Sequence, residues 1–200
     1  MRKVGIMGGT FNPIHNGHLQ LAEDAYRQFS LDEVLFMPCG TAYMKADTDV
    51  DSGQIRAEMT ALAIQDNPFF CLSTMEIERQ GNTYTYQTME CLKEESPDTE
   101  YFFIMGADSL FHIEQWRYPE RIFANCCILA AIRGDKTTTD MERQIRRLTR
   151  EYSADIRLLK TECMNISSSD IRRKIATGES IADDVPELVR EYIEKRGLYG

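Results

Sequence analysis

Two histidines three residues apart, His15 and His18, stand in the stretch Gly8-Gly9-Thr10-Phe11-Asn12-Pro13-Ile14-His15-Asn16-Gly17-His18-Leu19, and only one other histidine occurs in the 200 residues. At this spacing both imidazoles can face one bound oxyanion. Gly8 and Gly9 let bare amides come close to a ligand, and Thr10 adds a hydroxyl beside them. Val4, Ile6 and Met7 make the preceding segment apolar enough for a short buried strand, while Leu19, Ala22, Tyr26 and Phe29 recur at helical spacing with Asn16 as a suitable N-cap. Gly17 and His18 then fall in the first turn of a helix, where unpaired N–H groups and the helix dipole favour an anion. Strand, glycine turn and helix start together describe a phosphate-binding turn.

A histidine pair can also be half of a zinc site, but no Cys-x-x-Cys, no His-Glu-x-x-His and no acidic partner at ligand spacing accompanies this one, so no metal held by the protein is expected. A structural histidine pair would leave the glycines, the threonine and the helix start without a purpose.

Other groups suited to chemistry lie further along. Ser167 and Asp170 have capping-box spacing, so a helix starts in Met164-Asn165-Ile166-Ser167-Ser168-Ser169-Asp170-Ile171-Arg172, and Ser168 and Arg172, four apart, share one of its faces. Gly106-Ala107-Asp108-Ser109 follows the apolar run from Tyr101 to Met105, at the end of a strand where ligands bind in open α/β sheets. Asp108 there can accept hydrogen bonds from ribose hydroxyls, cap the next helix, or do both. Trp116, the only tryptophan, has the polar neighbours Glu114, Gln115 and Arg117, which suits an indole that stacks on a flat ring. Lys45 stands out in the polar loop 39–53, although loop lysines are ordinarily just solvated. His112 is expected at the surface or behind the site.

The elements that position these groups alternate between strand and helix. Strands are expected at 33–38, 69–72, 101–105, 126–132 and 156–159. Helices are expected at 54–66, from a cap at Thr83 or Thr85, at 139–152 capped by Thr139 or Asp140, and from Pro186 at its first position to Lys195, packing Leu188, Val189 and Ile193. Arg56 is placed on the loop side of its helix, a position where most arginines are surface residues. This order describes an α/β fold, a doubly wound Rossmann-like parallel sheet in a single domain of residues 1–200, with a small C-terminal helical part from about 165. The basic start Met1-Arg2-Lys3 is followed by a run broken by Gly5, Gly8 and Gly9, so neither a signal-peptide core nor a membrane span is expected, and the expected location is the cytoplasm. The six cysteines show no metal-type spacing and are expected as buried free thiols. With 23 Lys and Arg against 32 Asp and Glu, the net charge of −9 argues against a nucleic-acid partner. Cationic groups must therefore be concentrated where an anionic ligand binds.

The string Gly8-Gly9-Thr10-Phe11-Asn12-Pro13-x-His15-x-Gly17-His18 resembles the signature of the nucleotidyltransferase superfamily with its His-x-Gly-His motif, and within it the chain is similar to the bacterial nicotinate-nucleotide adenylyltransferases. Asn12 stands where that family commonly has Asp, Met44 where it commonly has His, and Gln87 where Asp is common. The resemblance implies transfer of AMP from ATP to nicotinate mononucleotide, with Mg²⁺ accompanying ATP and no covalent enzyme intermediate. It implies that His15, His18 and Arg172 are catalytic. ATP would be bound by Gly8, Gly9, Thr10, Phe11, His15, His18, Lys45, Ile166, Ser167, Ser168 and Arg172. Nicotinate mononucleotide would be bound by Thr10, Lys45, Thr83, Tyr84, Thr85, Gly106, Asp108 and Trp116, with the backbone at 83–85 against the ring and its carboxylate. The rival readings are a sibling transferase for nicotinamide mononucleotide, phosphopantetheine or a sugar or polyol phosphate, and a nucleotide sensor without turnover. Monomer and homo-oligomer both stay open.

Overall fold

The structure, a computed structural model, describes residues 1–42, 52–132, 137–162 and 165–200. Lys45, Met44 and Cys163 lie outside the described residues. In chain order the elements are β1 (Arg2–Gly9), α1 (Asn16–Phe29), β2 (Glu33–Pro38), β3 (Thr41–Ala42), α2 (Gly53–Ile64), β4 (Phe70–Leu72), α3 (Met75–Glu78), β5 (Asn82–Thr83), α4 (Thr85–Glu95), β6 (Thr99–Gly106), α5 (Ala107–His112), a 3₁₀ turn (Ile113–Gln115), α6 (Pro119–Asn125), β7 (Cys127–Ala131), α7 (Thr138–Tyr152), β8 (Ile156–Leu159), α8 (Ser168–Ala176) and α9 (Glu187–Arg196). Six strands form a parallel sheet in the order β4-β2-β1-β6-β7-β8, while β3 and β5 pair in a small parallel ribbon. The chain is an α/β protein with a Rossmann-like sheet.

Alternation along the strands divides the core in two. Phe102 and Ile104 of β6 face one side, where they meet Ala22 and Ala25 of α1, Met59 of α2, Ile171 of α8 and Val189 and Ile193 of α9. Tyr101, Phe103 and Met105 face the other, with Met89 of α4, Leu110 of α5, Ile122 of α6 and Met141 and Leu148 of α7. The strand order reverses between β1 and β6, since β2 and β4 follow on one side while β7 and β8 follow on the other. Two C-terminal strand ends whose next connections diverge leave a crevice, and the glycine turn sits at its mouth.

Several boundaries differ from the sequence expectation, each for a local reason. His15, not Asn16, is the N-cap of α1: its N–H donates to Nδ1 of His18 at 3.2 Å, so the imidazole three residues on takes the part that Glu or Gln plays in a capping box. Tyr84 is the N-cap of α4, since Thr83 is held in the β3–β5 ribbon and Thr85 is already helical, and no side chain caps this end. Thr137 caps α7, with Asp140 as its reciprocal capping-box partner three residues on. Pro186 is the N-cap of α9 rather than its first residue, and Leu188 is 37% exposed while Val189 and Ile193 are buried. Gly106 caps α5, leaving Asp108 exposed in its first turn. Among the five described cysteines, all free, only Cys126 and Cys127 are buried; Cys39, Cys71 and Cys91 are half-buried.

Burial pushes the Cys127 thiol up to about 12 and raises that of Cys126 further still. Because the thiolate is the reactive form, neither should be alkylated by iodoacetamide at pH 8 until the protein is unfolded. Peptide mass spectrometry of native and denatured samples checks this, and native labelling at either position contradicts it.

Candidate active site

The turn after β1 is built around one aromatic ring. Phe11 is 1% exposed and lies so close over Gly9 that a Cβ there would sit 2.7 Å from the ring. Its backbone is left-handed, with φ 51° at a bulky residue, a conformation that persists only where packing imposes it. The ring edge meets His18, with centroids 5.0 Å apart and planes at 81°, and leans on Phe36 of β2. His15 and His18 stack at 3.6 Å with 25° between their planes. Gly17 makes room for this stack, since a Cβ there would come within 3.1 Å of His15 Nδ1. The His15 N–H bonded to His18 Nδ1 leaves the proton of neutral His18 on Nε2, at the far edge of the ring.

Donors from distant parts of the chain take up the carbonyls of this turn. Gly9 O accepts from Cys39 N–H at 2.8 Å. Thr10 O accepts from Nη1 of Arg56 at 2.7 Å, Asn12 O from Nη1 of Arg172 at 2.8 Å, and Pro13 O from the Ser168 hydroxyl at 2.9 Å. The Asn12 side chain, 3% exposed, accepts from the Tyr199 hydroxyl at 2.8 Å, and Asn16 N–H bonds to Asp184 O at 2.8 Å. Arg56 is buried rather than at the surface, and its Nη2 also donates to Cys39 O at 2.7 Å, so one guanidinium ties the end of β2 to the end of β1. A planar fork of five donors can hold two carbonyls this way, whereas an ammonium cannot match that geometry.

A cavity of about 530 Å³ opens beside the turn. Gly8, Gly9 and Thr10 form its floor, Thr83, Tyr84 and Thr85 one wall, and Phe103 and Trp116 another, the two rings meeting edge to face at 6.1 Å. Glu76 and Arg117 are the charged groups in its lining among the described residues. Burial raises the Glu76 carboxyl above its ordinary value, opposed by the hydrogen bond from Thr88, at 2.7 Å, and by the Arg79 charge.

A family model described as cytidylyltransferase-like matches residues 6–174. A relative from Lachnoclostridium phytofermentans, named "Probable nicotinate-nucleotide adenylyltransferase", is 47% identical over 199 residues, covering 100% of both chains. The chain belongs to the nicotinate-nucleotide adenylyltransferase family. A relative of the same name from Clostridium botulinum is 38% identical across 100% of this chain and 98% of its own. Among solved structures, the Plasmodium falciparum nicotinic acid mononucleotide adenylyltransferase complexed with NaAD superposes with a TM-score of 0.81 at 21% identity, covering 100% of this chain and 98% of that one, a likeness of fold.

Of the residues that the family resemblance singled out, Gly8, Gly9, Thr10, Thr83, Tyr84, Thr85 and Trp116 line one cavity. His15, His18 and Phe11 form the stacked cluster at its edge, and Ser168 and Arg172 reach the same turn from α8. Ile166 lies against Gly17, and Ser167 caps α8 by accepting from Asp170 N–H at 3.1 Å. Gly106 and Asp108 do not line the cavity; Ser109 of the same segment does. His112 bonds through Nδ1 to Asp108 O and is exposed. Sequence reading gave no role to Glu76, Arg117 or Tyr199, and read Arg56 as a residue of the surface type. For Arg56 the signal was present, because it lies between Ile55 and Ala57 and next to the buried Ala57 and Met59, on a face that carries core residues.

Replacing Arg56 by Met keeps the length of the side chain but leaves Thr10 O and Cys39 O without their donor, at roughly 1–3 kcal/mol for each buried group. The Arg56→Met variant should lose about 3 kcal/mol of stability in urea unfolding; a midpoint equal to wild type would show that the clamp contributes nothing.

Proposed function

We propose that this protein transfers AMP from ATP to nicotinate mononucleotide, forming deamido-NAD and pyrophosphate in NAD biosynthesis. The observation that carries this reading is the continuity of two half-sites: an aromatic-walled cavity that fits a flat ring, opening onto a glycine turn built for phosphates. The names of the relatives, and the NaAD in the complex of similar fold, agree with it.

The chemistry needs little from the protein beyond placement and charge. A phosphate monoester has its second pKa near 6, so the acceptor is already an anionic nucleophile at neutral pH and requires no general base. One of its oxygens attacks the α-phosphorus of ATP, a new P–O bond forms, and the bond to the pyrophosphate oxygen breaks in line. His18, with its Nε2 proton turned away from the His15 backbone, and His15 stacked on it stabilise charge gathering on the transferring group and the leaving pyrophosphate. On the ATP side, Gly8, Gly9, Phe11, Ile166 and Ser167 shape the turn and the start of α8. The Ser168 proton is engaged by Pro13 O, so Ser168 contributes through its backbone, while Arg172 keeps donors beyond the one given to Asn12 O. On the acceptor side, Trp116 stacks on the ring, Thr10 and the α4 start at Thr83, Tyr84 and Thr85 meet its polar groups, and the segment Gly106 to Asp108 borders the ribose.

Among the described residues no three His, Cys, Asp or Glu side chains converge on a common metal position. We propose that Mg²⁺ accompanies the phosphates of ATP and, when bound, would neutralise phosphate charge. No helix among the described residues is long and apolar enough to cross a membrane, and we place the reaction in the cytoplasm, in a chain that works as one catalytic domain.

Pyrophosphate release on mixing the protein with ATP, Mg²⁺ and a panel of acceptors tests the assignment. Nicotinate mononucleotide should give the highest kcat/KM; turnover with phosphopantetheine or a polyol phosphate alone, or none at all, contradicts it. His18→Ala should lower kcat by about 10²-fold or more, the scale of losing one well-placed donor to a developing charge. Near wild-type turnover in the folded variant would remove His18 from the chemistry. Stacking gives roughly 1–3 kcal/mol per ring and treats acid and amide alike, so Trp116→Ala should weaken both mononucleotides and leave their ratio nearly intact. A ratio that collapses in this variant would make the tryptophan the reader of the acid.

A further inference from the structure

Arg117 follows Trp116 directly and lies on the rim of the cavity, its guanidinium 5.0 Å over the Tyr84 ring and 5.4 Å over the Tyr118 ring, with Nη1 3.3 Å from the Tyr84 hydroxyl. The Tyr118 backbone is left-handed, φ 51°, and its ring, 43% exposed, meets Tyr86 edge to face at 5.0 Å. Its neighbour Arg121 also lies over Tyr86, at 4.4 Å, but donates two bonds of 2.6 Å to Glu90. Arg117 makes no ion pair among the described residues. It is thus a cation held against aromatic rings, with donors beyond those turned to tyrosine hydroxyls, in the lining of a cavity that also carries Phe103 and Trp116.

We infer that Arg117 reads the acid group of the pyridine ring and sets the preference for nicotinate mononucleotide over its amide, an inference that rests on the acceptor assigned above. Among the described residues, an acid entering this cavity meets one carboxyl, Glu76, and one guanidinium, Arg117, in the lining. Glu76 is turned into the wall by Thr88, which Arg79 holds from its other side at 3.1 Å. Arg117 is left to balance the charge of the ligand. The α4 start alone discriminates less, because backbone N–H groups bond to an amide carbonyl as well as to a carboxylate oxygen. A guanidinium fork separates the two sharply: it matches both oxygens of a carboxylate, whereas the NH₂ of an amide would turn donors toward donors. The contact of Arg117 with Tyr84, the residue that begins α4, lets cation and helix start act on the same group.

The test is steady-state kinetics of wild type, Arg117→Gln and Arg117→Lys with nicotinate and nicotinamide mononucleotides, together with the KM for ATP. Arg117→Gln should lower the acid-to-amide ratio of kcat/KM by about 10-fold or more, as for loss of a hydrogen bond to a charged group. The KM for ATP should move by less than about threefold, since Arg117 is remote from the α8 half-site, and Arg117→Lys, which keeps the charge without the fork, should give an intermediate ratio. If wild type prefers the acid and Arg117→Gln keeps that ratio, with both acceptors falling together, the arginine only shapes the rim and the inference fails while the assigned reaction stands. If wild type does not prefer the acid, both fail together.

Discussion

The site depends on how the carbonyls between Gly9 and Pro13 are held. A chain that turns from a strand into a helix within a few residues presents its carbonyls and amides in competing directions, and an anion can be bound only if the carbonyls face elsewhere. Here Cys39, Arg56, Arg172 and Ser168 take the carbonyls of Gly9, Thr10, Asn12 and Pro13 in turn. Those donors come from the end of β2, from α2 and from α8, so the phosphate turn is set by packing on one whole face of the sheet. Helix α8, far along the chain, thereby holds the turn from behind, and Tyr199, just beyond α9, adds its bond to the Asn12 side chain.

This arrangement explains why a local signature was legible while its supports were not. Glycines, a threonine, two histidines and a helix start declare themselves over a dozen residues, because each answers a local requirement of backbone geometry or chemistry. Short, mainly apolar runs likewise marked β2 and β8 to the residue, since strands of a parallel sheet covered on both faces are largely apolar. The role of Arg56 depends on where α2 packs, and no spacing in its own segment states that it will meet Thr10, 46 residues earlier. Tyr199 bonds to Asn12 across 187 residues for the same reason. The caps of α1, α4 and α7 were displaced by one or two residues: at α1 and α7 a reciprocal partner three residues on, His18 and Asp140, selected His15 and Thr137, and at α4 the β3–β5 ribbon took Thr83.

Charge is distributed with the same economy. A protein with net charge −9 that handles the three phosphates of ATP, the phosphate of the acceptor and an acid must place its few unpaired cations at the ligand. Many of its arginines are committed to carboxylates on the surface, such as Arg121 to Glu90 and Arg147 to Glu114. Arg172 and Arg117, set on opposite sides of the glycine turn, make no such pair among the described residues. One is directed to carbonyls of the turn and the other to aromatic rings, which orient the guanidinium without neutralising it.

In the proposed reaction AMP passes directly from ATP to the acceptor, two phosphates being held in line, and neither stacked histidine takes the nucleotide covalently. The stereochemical course at the α-phosphorus tests it most directly. ATP chiral at that phosphorus through a single sulfur substitution should give a dinucleotide of inverted configuration, the outcome of one in-line displacement, read by ³¹P NMR. Retention would require two displacements, and with them a nucleotidyl-histidine intermediate that this account denies.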